Sequence, residues 1–438
     1  MTASDLSRGS QPSRGSSGSR VLRDAPAVVW LVATGLVALA RPVLHAPTWL
    51  LIHLLLLGAV SHSVLVWSAH FADALLHTPH SQGDLRARSS RLVLLNAGVL
   101  CVLVGVLAEW WPLTLVGATS VAAAAAWHGA ALFRQLRAAL PARFAVTVRY
   151  YVCAALMLPL GATFGTILAR IEEDSAPNLV VAHVTVNVFG WLGLTVLGTL
   201  LTFWPTMLRT RIPGGAERAA ARALPVVVGG LVITVTAALV GWLTVAALGL
   251  VVYLAGLAML AVPFVAAARQ RPPRSFATRS VLSGLVWLVA VIVLLTIALL
   301  TSPTWEKAED LLSAASPALA VGFGAQLLVG ALSYLMPVAL RGGPHVVRAT
   351  TRAIERGGLL RLALTNVGLP LALLPWPEPV RTVGGALVLV GLGSFLPLMV
   401  SAVRVSVRAR ADRASRGAAL SEREVPKREV PERARREG

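Results

Sequence analysis

Charge is scarce in this chain. Asp, Glu, Lys and Arg make up only 13% of its 438 residues, against 56% hydrophobic side chains, a balance that the water-facing surface of a soluble domain cannot accommodate. Lipid is the solvent such a composition requires. Cysteine is scarcer still: Cys101 and Cys153 stand alone in apolar stretches, with no CxxC or Cys/His neighbour. That excludes a disulfide framework and a zinc site and leaves both as packing residues. Ser-His-Asp, HExxH, P-loop and dinucleotide fingerprints are missing too, so no hydrolase or nucleotide enzyme has a motif to stand on. No Asp, Glu or Lys falls in the middle third of any apolar run. This removes the ordinary general acids and bases, and also the midplane carboxylate of ion-coupled transporters.

The charge that is present has a pattern. A net charge of +19 is carried largely by arginines in short connectors between apolar runs, the distribution of the positive-inside rule and not of a nucleic-acid binder. Runs long enough to cross about 30 Å of hydrocarbon fall near Ala27–Leu44, Thr48–Ala69, Leu92–Leu107, Pro112–Phe133, Tyr150–Ala169 and Asn178–Trp204. Six more follow near Leu224–Val240, Trp242–Ala266, Val281–Leu300, Ala318–Leu340, Leu359–Leu374 and Val383–Val403. The fold class expected is therefore an all-α integral membrane protein of about twelve transmembrane helices.

Connectors after the even-numbered spans carry arginines such as Arg86, Arg137, Arg211, Arg271 and Arg348, whereas the opposite ones are short or acidic, as at Glu109, Glu172-Glu173-Asp174 and Glu306. The chain is expected in the cell (plasma) membrane with both termini cytoplasmic. Residues 1–24, rich in Ser, Gly and Arg, and 405–438, with Arg423-Glu-Val-Pro-Lys-Arg-Glu-Val-Pro, read as disordered tails around a membrane domain over 25–404. The first run ends in Ala38-Leu39-Ala40, the outline of a cleavable signal peptide. It continues through Arg41-Pro-Val-Leu, and a retained helix keeps the span count.

That count matters because of a repeat. Gly198-Thr-Leu200, Pro205, Leu208 and Arg209 of the sixth span recur at one constant offset as Gly330-Ala-Leu332, Pro337, Leu340 and Arg341 of the tenth. Four spans separate the copies, and the second span enters in the same direction. Three pseudo-symmetric four-helix units follow, with spans two, six and ten equivalent; chance recurrence in Leu-rich helices is the alternative.

Histidine in hydrocarbon is costly, and an intramembrane imidazole is a functional candidate by default. Six of the nine lie in connectors or, like His70 and His128, near span ends where the ring can reach water. His53, His62 and His183 remain. His53 and His183 lie at similar depth, about six and five residues into spans two and six, and could share one ligand: haem or copper. His62 is about 180° round its helix from His53. Asn187, one turn from His183, could orient that ring. Gly190, Gly193 and Gly198 could thin the sixth span for a flat cofactor, or only let helices pack. Trp67, Trp110, Trp111, Trp204, Trp305 and Trp376 fall near span ends, as an interfacial belt does.

These residues carry a resemblance. Ala182-His-Val-Thr-Val-Asn-Val-Phe-Gly-Trp191 with Trp204-Pro, His53-Leu-Leu-Leu-Leu-Gly58 with Trp67 to Phe71, and Gly322-Phe-Gly-Ala-Gln326 through Tyr334-Leu-Met-Pro337 resemble the sixth, second and tenth helices of actinobacterial membrane proteins described as copper oxidases. The likeness covers most of the twelve-helix region, without the cupredoxin-type, nitrite-reductase-like domain that often follows in those proteins. More distantly the chain resembles subunit I of the haem–copper oxidases and the NnrS family. Where the relatives show His-x-His, this chain has His183-Val-Thr185. Where an oxidase has His-x-x-x-Tyr, it has Asn187, and its tenth span holds no His. The resemblance implies at most one bis-His haem b or one copper, held by His53 and His183 with Asn187 beside them, and no oxygen-reducing binuclear centre. Electron transfer to an extracytoplasmic copper protein, or handling of copper or nitrogen oxides, is the expected function; a permease or a scaffold without a redox cofactor is the alternative.

Overall fold

The computed structural model describes residues 15–78, 82–171, 176–340 and 343–424, and among them every regular element is a helix. In chain order these are α1 (Gly15–Leu44), α2 (Thr48–Leu76), α3 (Gln82–Leu107), α4 (Trp111–Ala138), α5 (Ala145–Leu168), α6 (Pro177–Leu208) and α7 (Ala216–Val240). Then come α8 (Leu243–Gln270), α9 (Phe276–Thr301), α10 (Trp305–Ala339), α11 (Gly343–Ile354), α12 (Gly358–Leu373), α13 (Glu378–Gly393) and α14 (Phe395–Glu424). Among the described residues ten helical stretches are long and apolar enough to cross a membrane, namely α2 to α10 and residues 378–411 of α13 and α14 taken together, and Ala25–Arg41 within α1 is a shorter apolar segment. Their outer faces suit lipid: Val93, Val262 and Val286 stand 69%, 70% and 60% exposed, which a soluble surface rarely tolerates over so large a patch.

Helix persists where tails were expected. Residues 15–24 already belong to α1, and α14 runs past Arg404 to Glu424; the rest of both tails, 1–14 and 425–438, lies outside the described residues. The Ala- and Arg-rich run after Arg404 has good intrinsic helix propensity, so an apolar helix entering it continues by simple propagation.

Three helices are enclosed by the others. In α2, α6 and α10 the apolar stretch is 56%, 78% and 67% buried, whereas no other span exceeds 44%. Each of the three also widens into a π-helical segment, at Leu54–Val60, Thr185–Gly193 and Ala318–Ala325. Such segments are rare and re-aim the residues around them. The three converge, since a Cβ at Gly324 would meet the side chains of Leu56 and Leu192.

One packing device recurs at regular intervals. Gly58, Gly190 and Gly322 are spaced 132 residues apart, and a Cβ at each would lie 2.7–2.8 Å from Trp30, Met157 and Trp287 respectively. A second device joins α3 to α4, α7 to α8 and α12 to α13. Gly98 and Gly117, Gly230 and Gly249, and Gly368 and Gly384 face each other so closely that a Cβ on either would lie 2.7–2.9 Å from its partner's carbonyl oxygen. Small residues at such crossings let backbones approach where lipid offers no hydrophobic drive for association.

Several polar side chains inside this bundle are paired across helices. Trp30 Nε1 donates to Asn96 Oδ1 at 2.7 Å, and Asn96 Nδ2 donates to His62 Nδ1 at 2.9 Å. Trp287 Nε1 donates to Asn366 Oδ1 at 2.9 Å, and Asn366 in turn exchanges hydrogen bonds with Gln326. Near the arginine-rich end, Asp73 accepts two bonds from Arg88 at 2.6 and 2.7 Å and one from Gln135, which ties α2 to α3 and α4. His128 was expected to reach water. Instead it is 2% exposed and bonded to Ser68 Oγ at 2.8 Å, because α2 packs over it. Trp204 departs from the interfacial belt in the same way, fully buried and stacked on Phe264 with centroids 4.2 Å apart.

Candidate functional site

His53 closes the first turns of α2 immediately before its π segment, and His183 lies two residues ahead of the π segment of α6. Both therefore sit at the end of the bundle opposite the arginine-rich connectors. The two imidazoles face each other, with ring centroids 6.4 Å apart and planes inclined by 28°. Both are half-buried.

Each ring is held by its own helix. His53 Nδ1 donates to the Trp49 carbonyl one turn back at 2.8 Å, which selects the tautomer whose Nε2 lone pair is free to bind a metal. The Trp49 indole stacks on the same ring at 4.2 Å and limits its rotation. Around His183 the neighbour is α5: a Cβ at Gly165 would lie 2.9 Å from His183 Cε1, and one at Gly161 would overlap the Asn187 amide. The two glycines form a notch one turn apart that receives His183 and Asn187. Asn187 Nδ2 donates to the His183 carbonyl at 2.8 Å and lies 3.3 and 3.4 Å from the two ring nitrogens. Distances this long and nearly equal make Asn187 a contact that steadies the imidazole more than a directed bond to one lone pair.

The sequence reading therefore joins three residues that the fold also joins. It missed Trp49, Gly161 and Gly165, although the four-residue spacings from Trp49 to His53 and from Gly161 to Gly165 were readable signals of one helix face. His62 belongs to a different environment, 1% exposed and bonded to Asn96. Gly190, Gly193 and Gly198 do not open α6 to a flat group: Met157, Tyr253 and Tyr150 side chains fill the space beside them. Cys101 and Cys153 are free thiols on separate helices.

The donor set narrows the chemistry. Among the described residues no group of three or more His, Cys, Asp or Glu is placed to hold a metal ion. Two imidazoles are a donor set that suits a haem iron, whose remaining ligands come from the macrocycle, and also copper. No protein-family model and no curated protein matches the chain.

Proposed function

We propose that this chain is a haem- or copper-binding protein of the cell membrane, in which His53 and His183 would hold one redox-active centre. The observation that carries the reading is the pair of neighbouring, near-parallel imidazoles, 6.4 Å apart between ring centroids, one of them tautomerically fixed by a backbone carbonyl. When bound, haem b iron or copper supplies one-electron transfer. The protein's part is to hold both nitrogens neutral and correctly spaced, with Trp49 and Asn187 restraining the rings and Gly161 and Gly165 making room for them. In the proposed topology the end away from the arginine-rich connectors is the extracytoplasmic one, and the centre lies near it. It suits exchange of electrons with an extracytoplasmic copper protein, or handling of copper or nitrogen oxides. Asn187 stands where an oxidase's copper site has Tyr, and the tenth span holds no His, so oxygen reduction is not part of the proposal.

The architecture belongs to the same reading. Twelve crossings, in three pseudo-symmetric four-helix units with both termini cytoplasmic, follow if Ala25–Arg41 and α12 cross with the ten longer helices. At sixteen residues α12 is about 24 Å long, and its glycine crossing with α13 seats it in the bundle. The 132-residue spacing of Gly58, Gly190 and Gly322, the three π segments and the three reciprocal glycine crossings support the units.

Protein purified in detergent is expected to carry near-stoichiometric haem, seen as a Soret band, or copper by elemental analysis. Both are lost in His53→Ala and His183→Ala at unchanged yield of folded protein. Preparations free of both metals, or a Soret band unaltered in the two variants, would overturn the proposal in favour of a permease or scaffold.

A further inference from the structure

Between α6, α8 and α9 lies a cavity of about 460 Å³. Its walls are the later turns of α6 and α8 and the early turns of α9, and Pro213 and Ala216, around the start of α7, close it at the arginine-rich end. Trp204 and Leu288 are buried at its back, whereas Ala261, Val286 and Val289 are exposed. Its mouth therefore opens sideways, on the face that suits lipid.

The opening has a local cause. Where α4 crosses α5, a Cβ at Gly129 would lie 2.8 Å from the Ala155 side chain, so those two helices touch. The residue 132 positions beyond Gly129 is Ala261 of α8, which lines the cavity together with Leu285 of α9. Side-chain bulk on both helices holds α8 and α9 apart there.

The lining selects its occupant. It is built of Leu, Val, Ala, Pro and Phe, and the one polar side-chain atom in it, Trp204 Nε1, already donates to the Phe264 carbonyl at 3.1 Å. Water needs polar partners to stay in such a space, and the ring carbonyls of a quinone would find no donor either. The volume holds on the order of fifteen water-sized groups at about 30 Å³ each, and a fatty-acyl chain is a row of such groups. At the closed end the chemistry changes sign. Arg209 ends α6 four residues beyond Pro205, Arg211 stands two before Pro213, and Arg271 Nη1 donates to the Arg209 carbonyl at 3.0 Å, which draws α8 to the same place. All three arginines are exposed, and among the described residues none is in an ion pair. Arginine grips a phosphate by its planar fork of donors. We infer that the cavity holds one acyl chain of an anionic phospholipid from the leaflet on the arginine-rich side, its phosphate on Arg209, Arg211 and Arg271. The lipid completes the contact between α8 and α9, and the site is independent of the histidine pair.

Native mass spectrometry of the full-length protein in mild detergent tests this, with phosphatidylglycerol or phosphatidylcholine of identical chains added in mixed micelles. Wild type is expected to keep one phosphatidylglycerol, at least about tenfold more tightly than phosphatidylcholine, and to unfold at a temperature that climbs with the logarithm of its concentration. Replacing Arg209→Gln and Arg271→Gln together brings the two lipids close to parity. Ala261→Phe puts a ring into the cavity and loses the bound lipid, whereas Val262→Phe, one residue on and 70% exposed outside the lining, keeps it. If Ala261→Phe does not fold, Leu285→Trp fills the same space from α9. Equal retention in the filled and the Val262→Phe proteins, equal retention of both lipids by wild type, or displacement of the phospholipid by an added isoprenoid quinone overturns the proposal.

Discussion

A half-buried imidazole can be moved without touching it. At Gly165 a single added methyl would lie 2.9 Å from His183 Cε1, closer than carbon atoms approach, so Gly165→Ala forces the ring off its place. The expected result is loss or marked broadening of the Soret or copper signal, with a stability cost of about 1–3 kcal/mol for overpacking. Gly35→Ala, where nothing lies within 4 Å, leaves spectrum and unfolding temperature near wild type; an unaltered spectrum in Gly165→Ala would show that His183 is not a ligand. At this scale the sequence is informative where residue type is itself unusual for hydrocarbon. His53, His183 and Asn187 stand out among leucines and valines, and the fold brings them together. The notch that seats them does not stand out, because glycine in an apolar helix has no side chain to advertise its purpose. His128 was misjudged for a related reason: depth along a helix is readable, but which neighbour covers a given face is not.

Helix crossings separate glycines that matter from those that do not, even when they are adjacent. Gly230 abuts the Gly249 carbonyl oxygen at 2.7 Å from where its Cβ would be, whereas Gly229 faces open space. Gly229→Ala is therefore expected to be neutral or to stabilise α7 by up to about 1 kcal/mol through helix propensity. Gly230→Ala pushes α7 and α8 apart and lowers stability by roughly 1–3 kcal/mol. Thermal unfolding of the two variants in the same detergent checks the sign of each, and equal behaviour would mean the crossing is loose. Element existence was legible because twenty-residue apolar runs have no other use. Ends were less so: α10 begins at Trp305, more than three turns before the apolar run expected from Ala318, since hydropathy marks the lipid slab and not the helix. The connector helix α11 was missed, though Val346, Thr350, Ala353 and Ile354, all buried, trace one face at helical spacing. The π segments could not be foreseen, because one extra residue in a helical turn alters neither composition nor apolar period.

The whole molecule stands or falls on its orientation, because the redox reading needs the histidine pair on the far side from the arginines. Lys and Arg near span ends set that orientation through the cost of translocating them, and here the connectors at the two ends differ sharply. The α4–α5 turn is flanked by Arg134, Arg137, Arg143 and Arg149, whereas the α3–α4 turn holds Glu109 and no basic residue. Cys101 and Cys153 are replaced by alanine, and single cysteines are placed at Glu109 and at Leu140, which is 85% exposed. A membrane-impermeant maleimide added to intact cells is expected to label Glu109→Cys and to spare Leu140→Cys until the membrane is opened. The α9–α10 turn, on the same side as Glu109 in the three-unit arrangement, gives a second reading with Ser302→Cys, since an even number of spans lies between it and Glu109. Matching labels at Glu109→Cys and Ser302→Cys support six crossings between them; opposite labels would mean that one helix between α4 and α9 fails to cross. In that case the 132-residue spacing of Gly58, Gly190 and Gly322 could not relate three units of like orientation, and were the failing helix α4 or α5, His53 and His183 would enter from opposite faces.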